Sequence, residues 1–468
     1  MSTRRSARVG LCLLCLPLAV GAAPPPAKVP ITTSSAEARQ LYLRGRDANE
    51  KLRATDAYAL FEKAVAKDPS FALAYLGLAL AAPTNQTFFS ALRQAVALSA
   101  QVTEGERLMI AGLDAGVTGD LEGQRRLYTA LVEKYPGDER ALTLLGTYYF
   151  GIQDYPTAIR YLTQATAVSP SFTTPYNQLG YAYRLEGKYP EAERAFRKYI
   201  DVLPGDPNPY DSYGEFLMKV GRFDESIASY QKALALDRHF VASMIGIAND
   251  QMFQGKGEEA RQTLKRMASL ARNDGERRQS LFWTAQSYVL EGRAEDAARS
   301  VAGERAIAEK AGDFSAQSGD ATLMGNILLH AGRLDAAAAS FAEAVKLMEK
   351  ASVPAEVKQA NRRNNLFNTA RVLLARGDLT AAQAQAALYR TQVEAKGIPF
   401  EVWQVHELEG MVRIAQGDFE GALAELALST DQNPRVLYLT AVALQGKGDG
   451  QRAQAAAQAV VHFNALHP

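Results

Sequence analysis

Three pairs of adjacent acids, Asp224-Glu225, Glu258-Glu259 and Glu295-Asp296, offer this chain its most direct route to proton-transfer chemistry. Carboxylates held close together push each other's pKa values apart, so that one can donate a proton while the other accepts. Nearby, Gly255-Lys256-Gly257-Glu258-Glu259-Ala260 fits the glycine fingerprint of dinucleotide sites. That fingerprint has meaning only between a strand and a helix, where the backbone closes on a pyrophosphate. Five histidines (His239, His330, His406, His462 and His467) could ligate zinc if several converged, but their spacing gives no sign of it. The Gly-Lys pairs at 187, 255 and 446 are followed by Tyr, Gly and Gly, so no phosphate loop of the GxxxxGK[ST] form exists. HExxH, GxSxG and calcium-loop patterns are also missing from the sequence, and no cofactor or metal is implied. Asn85-Gln86-Thr87 is a glycosylation sequon by pattern alone.

The elements that must carry these residues repeat. Gly112, Gly146, Gly180, Gly214 and Ala248 recur every 34 residues, each within a helix-like apolar pattern. Glycine inside a helix costs about 0.5–1 kcal/mol against alanine, so its return at one position predicts a close approach of two helices there. Seven residues later comes a chain-reversing glycine (Gly187, Gly221, Gly255), and twelve later a small residue (Ala158, Ala192, Ser226, Ala260). Sixteen later comes a bulky one (Leu162, Phe196, Tyr230, Leu264), and twenty-four later a proline (Pro136, Pro170, Pro204). The pattern reads as helix, tight turn, helix, stop. The acid pairs fall just after the turn, in the first turn of the second helix, where the helix dipole favours negative charge. The dinucleotide-like glycines occupy the same turn between two helices. Both features are therefore read as structural.

Several residue types agreeing in phase resemble the tetratricopeptide-repeat family, whose unit is a 34-residue helical hairpin. The marks extend back to Gly45 and Gly77. They continue forward, at wider spacing, through Ala285, Gly325, Ala370, Gly410 and Ala441. The resemblance implies an all-α fold, a right-handed superhelical solenoid of about twelve antiparallel hairpins. A regular block is read over 37–272, and a divergent block with longer hairpins over 273–468. In this family the first helices line a concave groove that receives peptides. Carried over by register, that places Thr147, Phe150, Asn177, Tyr181, Arg184, Asp211, Glu215, Met218, Asn249 and Met252 on the groove.

The ends read differently. Arg4, Arg5 and Arg8 precede a short apolar run, Val9 to Val20, and then Gly21-Ala22-Ala23, the layout of a secretory signal peptide over 1–23. Residues 24–36, beginning Pro24-Pro25-Pro26, are read as an extended spacer. Cleavage would remove Cys12 and Cys15, the chain's only cysteines. The 52 basic and 51 acidic residues give a net charge of +1, with no basic surplus to suit nucleic acid. The expectation is an exported, non-enzymatic scaffold, periplasmic or extracellular, whose partner is a protein or peptide. One alternative is an envelope assembly or export factor held at the membrane by an uncleaved N-terminus; another is an enzyme with an array-lined pocket.

Overall fold

The computed structural model describes residues 28–464. The expected signal peptide, both cysteines and His467 lie outside the described residues. Within them the chain forms twelve successive antiparallel hairpins, with 24 α-helices and no strand. The first four pair α1 (Ala36–Glu50) with α2 (Ala54–Lys67), α3 (Ala72–Leu80) with α4 (Asn85–Leu98), α5 (Glu104–Val117) with α6 (Leu121–Lys134), and α7 (Glu139–Gly151) with α8 (Tyr155–Val168). The next four pair α9 (Thr174–Leu185) with α10 (Tyr189–Val202), α11 (Pro207–Lys219) with α12 (Phe223–Leu236), α13 (Val241–Phe253) with α14 (Gly257–Leu270), and α15 (Asp274–Leu290) with α16 (Ala294–Lys310). The last four pair α17 (Phe314–His330) with α18 (Leu334–Lys350), α19 (Ala355–Arg376) with α20 (Leu379–Glu394), α21 (Pro399–Gln416) with α22 (Phe419–Leu426), and α23 (Pro434–Gly446) with α24 (Gly450–Val461). From α15 to α21 every helix is at least 16 residues long, whereas none before α15 exceeds 15.

The recurring glycine has a specific neighbour. A Cβ on Gly180 would lie 2.5 Å from the Phe196 ring, and one on Gly214 would lie 2.9 Å from the Tyr230 ring. Phe341 fills the same space against Gly325, and the smaller Leu162 and Leu426 do so against Gly146 and Gly410. What demands glycine is therefore the bulky residue sixteen positions on, projecting from the second helix of the same unit. Phe61 and Tyr230 also press on glycines of the following first helix, Gly77 and Gly246. One ring thus joins three helices. At the reversal, Gly187 and Gly221 adopt φ of +70° and +77°, but Leu52 (57°) and Gln153 (61°) hold the same left-handed position without being glycine. The second helices then start on aspartate caps such as Asp120, Asp154 and Asp418, each accepting a backbone N–H three residues on.

Successive turns of the superhelix touch. Asn273, before α15, donates to Thr55 at the start of α2 (3.1 Å), and Arg272 pairs with Asp56 (3.4 Å). Asn85 donates to Ser315 (2.7 Å), and Thr430 donates to Gln153 (3.2 Å). Lys219 donates to the Phe463 carbonyl (2.9 Å) and lies over its ring. In each case the turn inside one hairpin meets a loop roughly seven hairpins later. The amide of Asn85 that a glycan would occupy is thereby committed to Ser315.

Residues 28–35 contain no helix and run as a strap across the first helices of the opening units. No described helix is long and apolar enough to cross a membrane.

Candidate functional site

The acid pairs resolve into helix starts with local partners. Arg222 pairs with Glu225 (2.5 Å), Arg261 with Glu258 (3.1 Å) and Arg293 with Asp296 (2.8 Å). Gly255 is the left-handed turn residue between α13 and α14 (φ +76°), with no strand before it. His239 faces the Leu270 carbonyl and His406 meets Glu425 (2.8 Å). Among the described residues, no three His, Cys, Asp or Glu side chains gather as a metal site.

The predicted groove positions fall on the first helices α7, α9, α11 and α13. The structure joins three of them, Tyr181, Arg184 and Glu215, through side-chain contacts, with Asp211 beside them on α11. Tyr181 donates to Glu215 (2.7 Å), Arg184 donates to the other oxygen of Glu215 (2.8 Å), and the Arg184 guanidinium sits 4.9 Å from the Tyr181 ring centre. Asp211, one helical turn before Glu215, accepts from Ser243 on α13 (2.7 Å). Burial, reinforced by the charge of Glu215, pushes the Asp211 carboxyl up to about 7, although the Ser243 hydroxyl pulls the other way. Burial and the charge of Glu215 raise the Tyr181 phenol well above its ordinary value. Lys219, at the end of α11, is lowered to about 8 by burial and by Arg184.

The other six positions are separate from that cluster. Thr147 is exposed and shares a hydrogen bond with Gln178, a residue the register did not single out. Phe150 packs edge-on against Tyr155 (5.5 Å). Met218 and Met252 are buried, at 5% and 9% exposure. Asn177 and Asn249 have buried amide oxygens without a hydrogen-bond partner among the described residues. The cluster is self-neutralising and contains no nucleophile with an adjacent base.

A second set of first-helix residues contacts the chain's own N-terminal segment. The strap lies along the first helices of the opening four units, beside a cavity of about 420 Å³ lined by Arg39, Tyr42, Leu73, Met109 and Arg140. Val29 N–H donates to Asp138 (2.8 Å), Thr32 N–H to Glu106 (2.7 Å), and the Thr33 hydroxyl to Asp68 (2.5 Å). Lys28 pairs with Glu139, and Arg39 reaches the Ile31 carbonyl (3.1 Å). Glu106 is fully buried and also accepts from the backbone and hydroxyl of Thr103 (2.9 and 2.7 Å). It is the acid of a capping box that doubles as a clamp on the strap. Asp68, Glu106 and Asp138 were not read as site residues. The Thr103-x-x-Glu106 pattern was visible, but its second role depends on a partner 74 residues away.

Two family models, both described as tetratricopeptide repeat, match residues 143–207 and 217–281. The chain thus contains tetratricopeptide repeats over those residues. Solved structures similar to this chain include one from Parabacteroides merdae, 18% identical, covering 56% of this chain and 99% of its own, with a TM-score of 0.38. PilW, a widely conserved type IV pilus biogenesis factor, is 22% identical over 47% of this chain and 97% of its own, with a TM-score of 0.34. MamA is 22% identical over 36% of this chain and 91% of its own, with a TM-score of 0.30. No curated protein matches the tetratricopeptide array.

Proposed function

We propose that this chain is an exported, non-enzymatic scaffold that binds a protein partner by taking an extended segment into its concave groove. The observation that carries the reading is the strap. Its backbone N–H groups at Val29 and Thr32 are received by carboxylates of the array, and its side chains lie over first helices. An extended segment held this way has its main-chain N–H groups satisfied by carboxylates of the array and its side chains packed on the helices. The Tyr181–Arg184–Glu215 cluster extends the same kind of polar contact to the first helices α9 and α11. Export rests on the basic, apolar and small-residue order of the N-terminus.

The test removes the strap and returns it in trans. A protein beginning at Ser34 should bind a synthetic peptide spanning Lys28–Ser35 in isothermal titration, whereas the intact chain should not, because its groove is filled. Far-UV circular dichroism checks that the shortened array stays folded. A folded array that ignores the peptide at millimolar concentration would remove the support for groove recognition.

A further inference from the structure

The second turn of the superhelix contains a cleft in two adjoining chambers of about 340 Å³ each. Asn326, Arg371 and Arg435 line both chambers. Arg371 donates one guanidinium nitrogen to Asn326 (2.8 Å) and Asn368 (3.0 Å) and pairs with no carboxylate among the described residues. The cleft does contain one carboxylate, Glu407, but it is 1% exposed and taken by Arg435 and Asn433. Both guanidinium groups lean on the Phe367 ring, at 5.6 and 5.7 Å. Two cations therefore share one counter-charge. Burial, with Arg435 beside it, pushes Arg371 down to about 10, so it stays charged at neutral pH in surroundings that do not neutralise it.

The helix that carries Arg371 is unusual. Asn364, Asn368 and Arg371 recur at helical spacing on one face of α19 and line the cleft, although asparagine is a poor choice for a helix interior. Residues that defy local preference and converge on a cavity mark function more often than folding. Across the cleft, Trp403 and the exposed Phe400 form an aromatic wall, and Gln404 adds another carboxamide. Side-chain amides present a donor and an acceptor in one plane, which matches the amide groups of a peptide unit.

We propose that this cleft is a binding site for a compact ligand bearing a carboxylate, of amino-acid to dipeptide size. The carboxylate would lie against Arg371, and an apolar group against Trp403 and Phe400. Each chamber falls at the small end of the range for small-molecule sites, about 300–1,000 Å³. The carboxylate could belong to a free molecule or to an acidic residue of a longer chain. The site lies on the first helices α17, α19, α21 and α23 and so rests on the groove reading for its face, but shares no lining residue with the cavity beside the strap.

The probe is a blocked phenylalanyl-glutamate dipeptide, titrated into the full-length protein by calorimetry and by tryptophan fluorescence, with a Trp283→Phe background isolating Trp403. Its glutamine counterpart, equal in size and without charge, should bind at least about tenfold more weakly, a difference of about 1.4 kcal/mol. Arg371→Met should weaken the glutamate probe to a similar degree. If that variant misfolds, the glutamate-to-glutamine comparison on the native protein still decides. Binding of the dipeptide supports a free ligand. Binding only when the same pair sits inside a longer peptide supports a segment of polypeptide. Equal affinity for the acid and amide forms, or no binding of either length at millimolar concentration, overturns the proposal.

Discussion

Replacing Gly180 with alanine adds one methyl group at the point where the fold has least room for it. The new Cβ would stand 2.5, 2.6 and 2.7 Å from three carbons of the Phe196 ring, against about 3.5–4.0 Å for an unstrained carbon contact. The ring must therefore retreat by about 1 Å. It cannot do so freely, because Phe196 is fully buried and packs on Tyr181 (5.2 Å) and Phe216 (5.7 Å). Overpacking of this kind costs about 1–3 kcal/mol. Alanine returns about 0.5–1 kcal/mol in helix propensity. The expected balance is a destabilisation of about 1–2 kcal/mol. Gly319→Ala supplies the control, because an added Cβ there meets nothing within 4 Å inside α17. It should stabilise by about 0.5–1 kcal/mol. A Phe196→Leu background, which imitates the Gly146–Leu162 pair, should reduce the penalty of Gly180→Ala and reveal coupling of about 1 kcal/mol. Urea unfolding followed by far-UV circular dichroism measures the parent, the three single variants and the double variant. If Gly180→Ala is as stable as the parent, or Gly319→Ala is equally damaging, the ring is not what selects glycine.

Leu52→Gly should raise stability by about 0.5–1 kcal/mol, because Leu52 holds a left-handed conformation while its side chain is 61% exposed; an unchanged urea midpoint would count against strain there. Asp211 gives a pH dependence of defined sign. Its folded carboxyl titrates at about 7, above the ordinary value near 4, so its contribution is complete below about pH 4 and is lost as pH rises to 7. Asp211→Asn keeps an acceptor for Ser243 and should stabilise the protein above pH 7 relative to the parent, by on the order of 1–3 kcal/mol. Parallel pH–stability curves for the two proteins would refute that. Processing should leave a chain beginning at Ala23 or Pro24, with melting insensitive to reductant, and N-terminal sequencing that finds Met1 or Ser2 would show otherwise.

The hairpins were legible because their determinants are local. Gly180 and Phe196, or Gly325 and Phe341, lie sixteen residues apart, within one unit, so a single period exposes both partners. Contacts between turns of the superhelix were not legible. They join lone polar residues such as Thr55 and Asn273, 218 positions apart, in loops with no periodic mark. The strap falls in the segment 24–36 expected to be a spacer, and its residues 28–35 contain no helix. Its docking depends on Asp68, Glu106 and Asp138, which already had visible local duties as turn and capping residues. Register placed Met218 and Met252 on the groove, four residues after Gly214 and Ala248. They are instead buried, at 5% and 9% exposure, and Met252 packs in one core cluster with Ala260, Leu264 and Met267 of α14. Arg371 went unread because the 34-residue spacing had stretched by α19. The run of asparagines preceding it was the available signal.

Contact between turns makes the number of hairpins behave like a reading frame. Arrays in which each unit touches only its neighbours can gain or lose a unit with a local penalty. Here Thr55 faces Asn273, Asn85 faces Ser315, and Gln153 faces Thr430, each pair separated by roughly seven units. Excising one hairpin between the fifth and the seventh would preserve every neighbour-to-neighbour interface type, yet shift all three of these pairings by one unit. Changes of length in such a chain are therefore least disruptive at its ends, or in the hairpins' own helices. The lengthening of α15 to α21 within an unaltered count of hairpins is the form of divergence that this constraint permits.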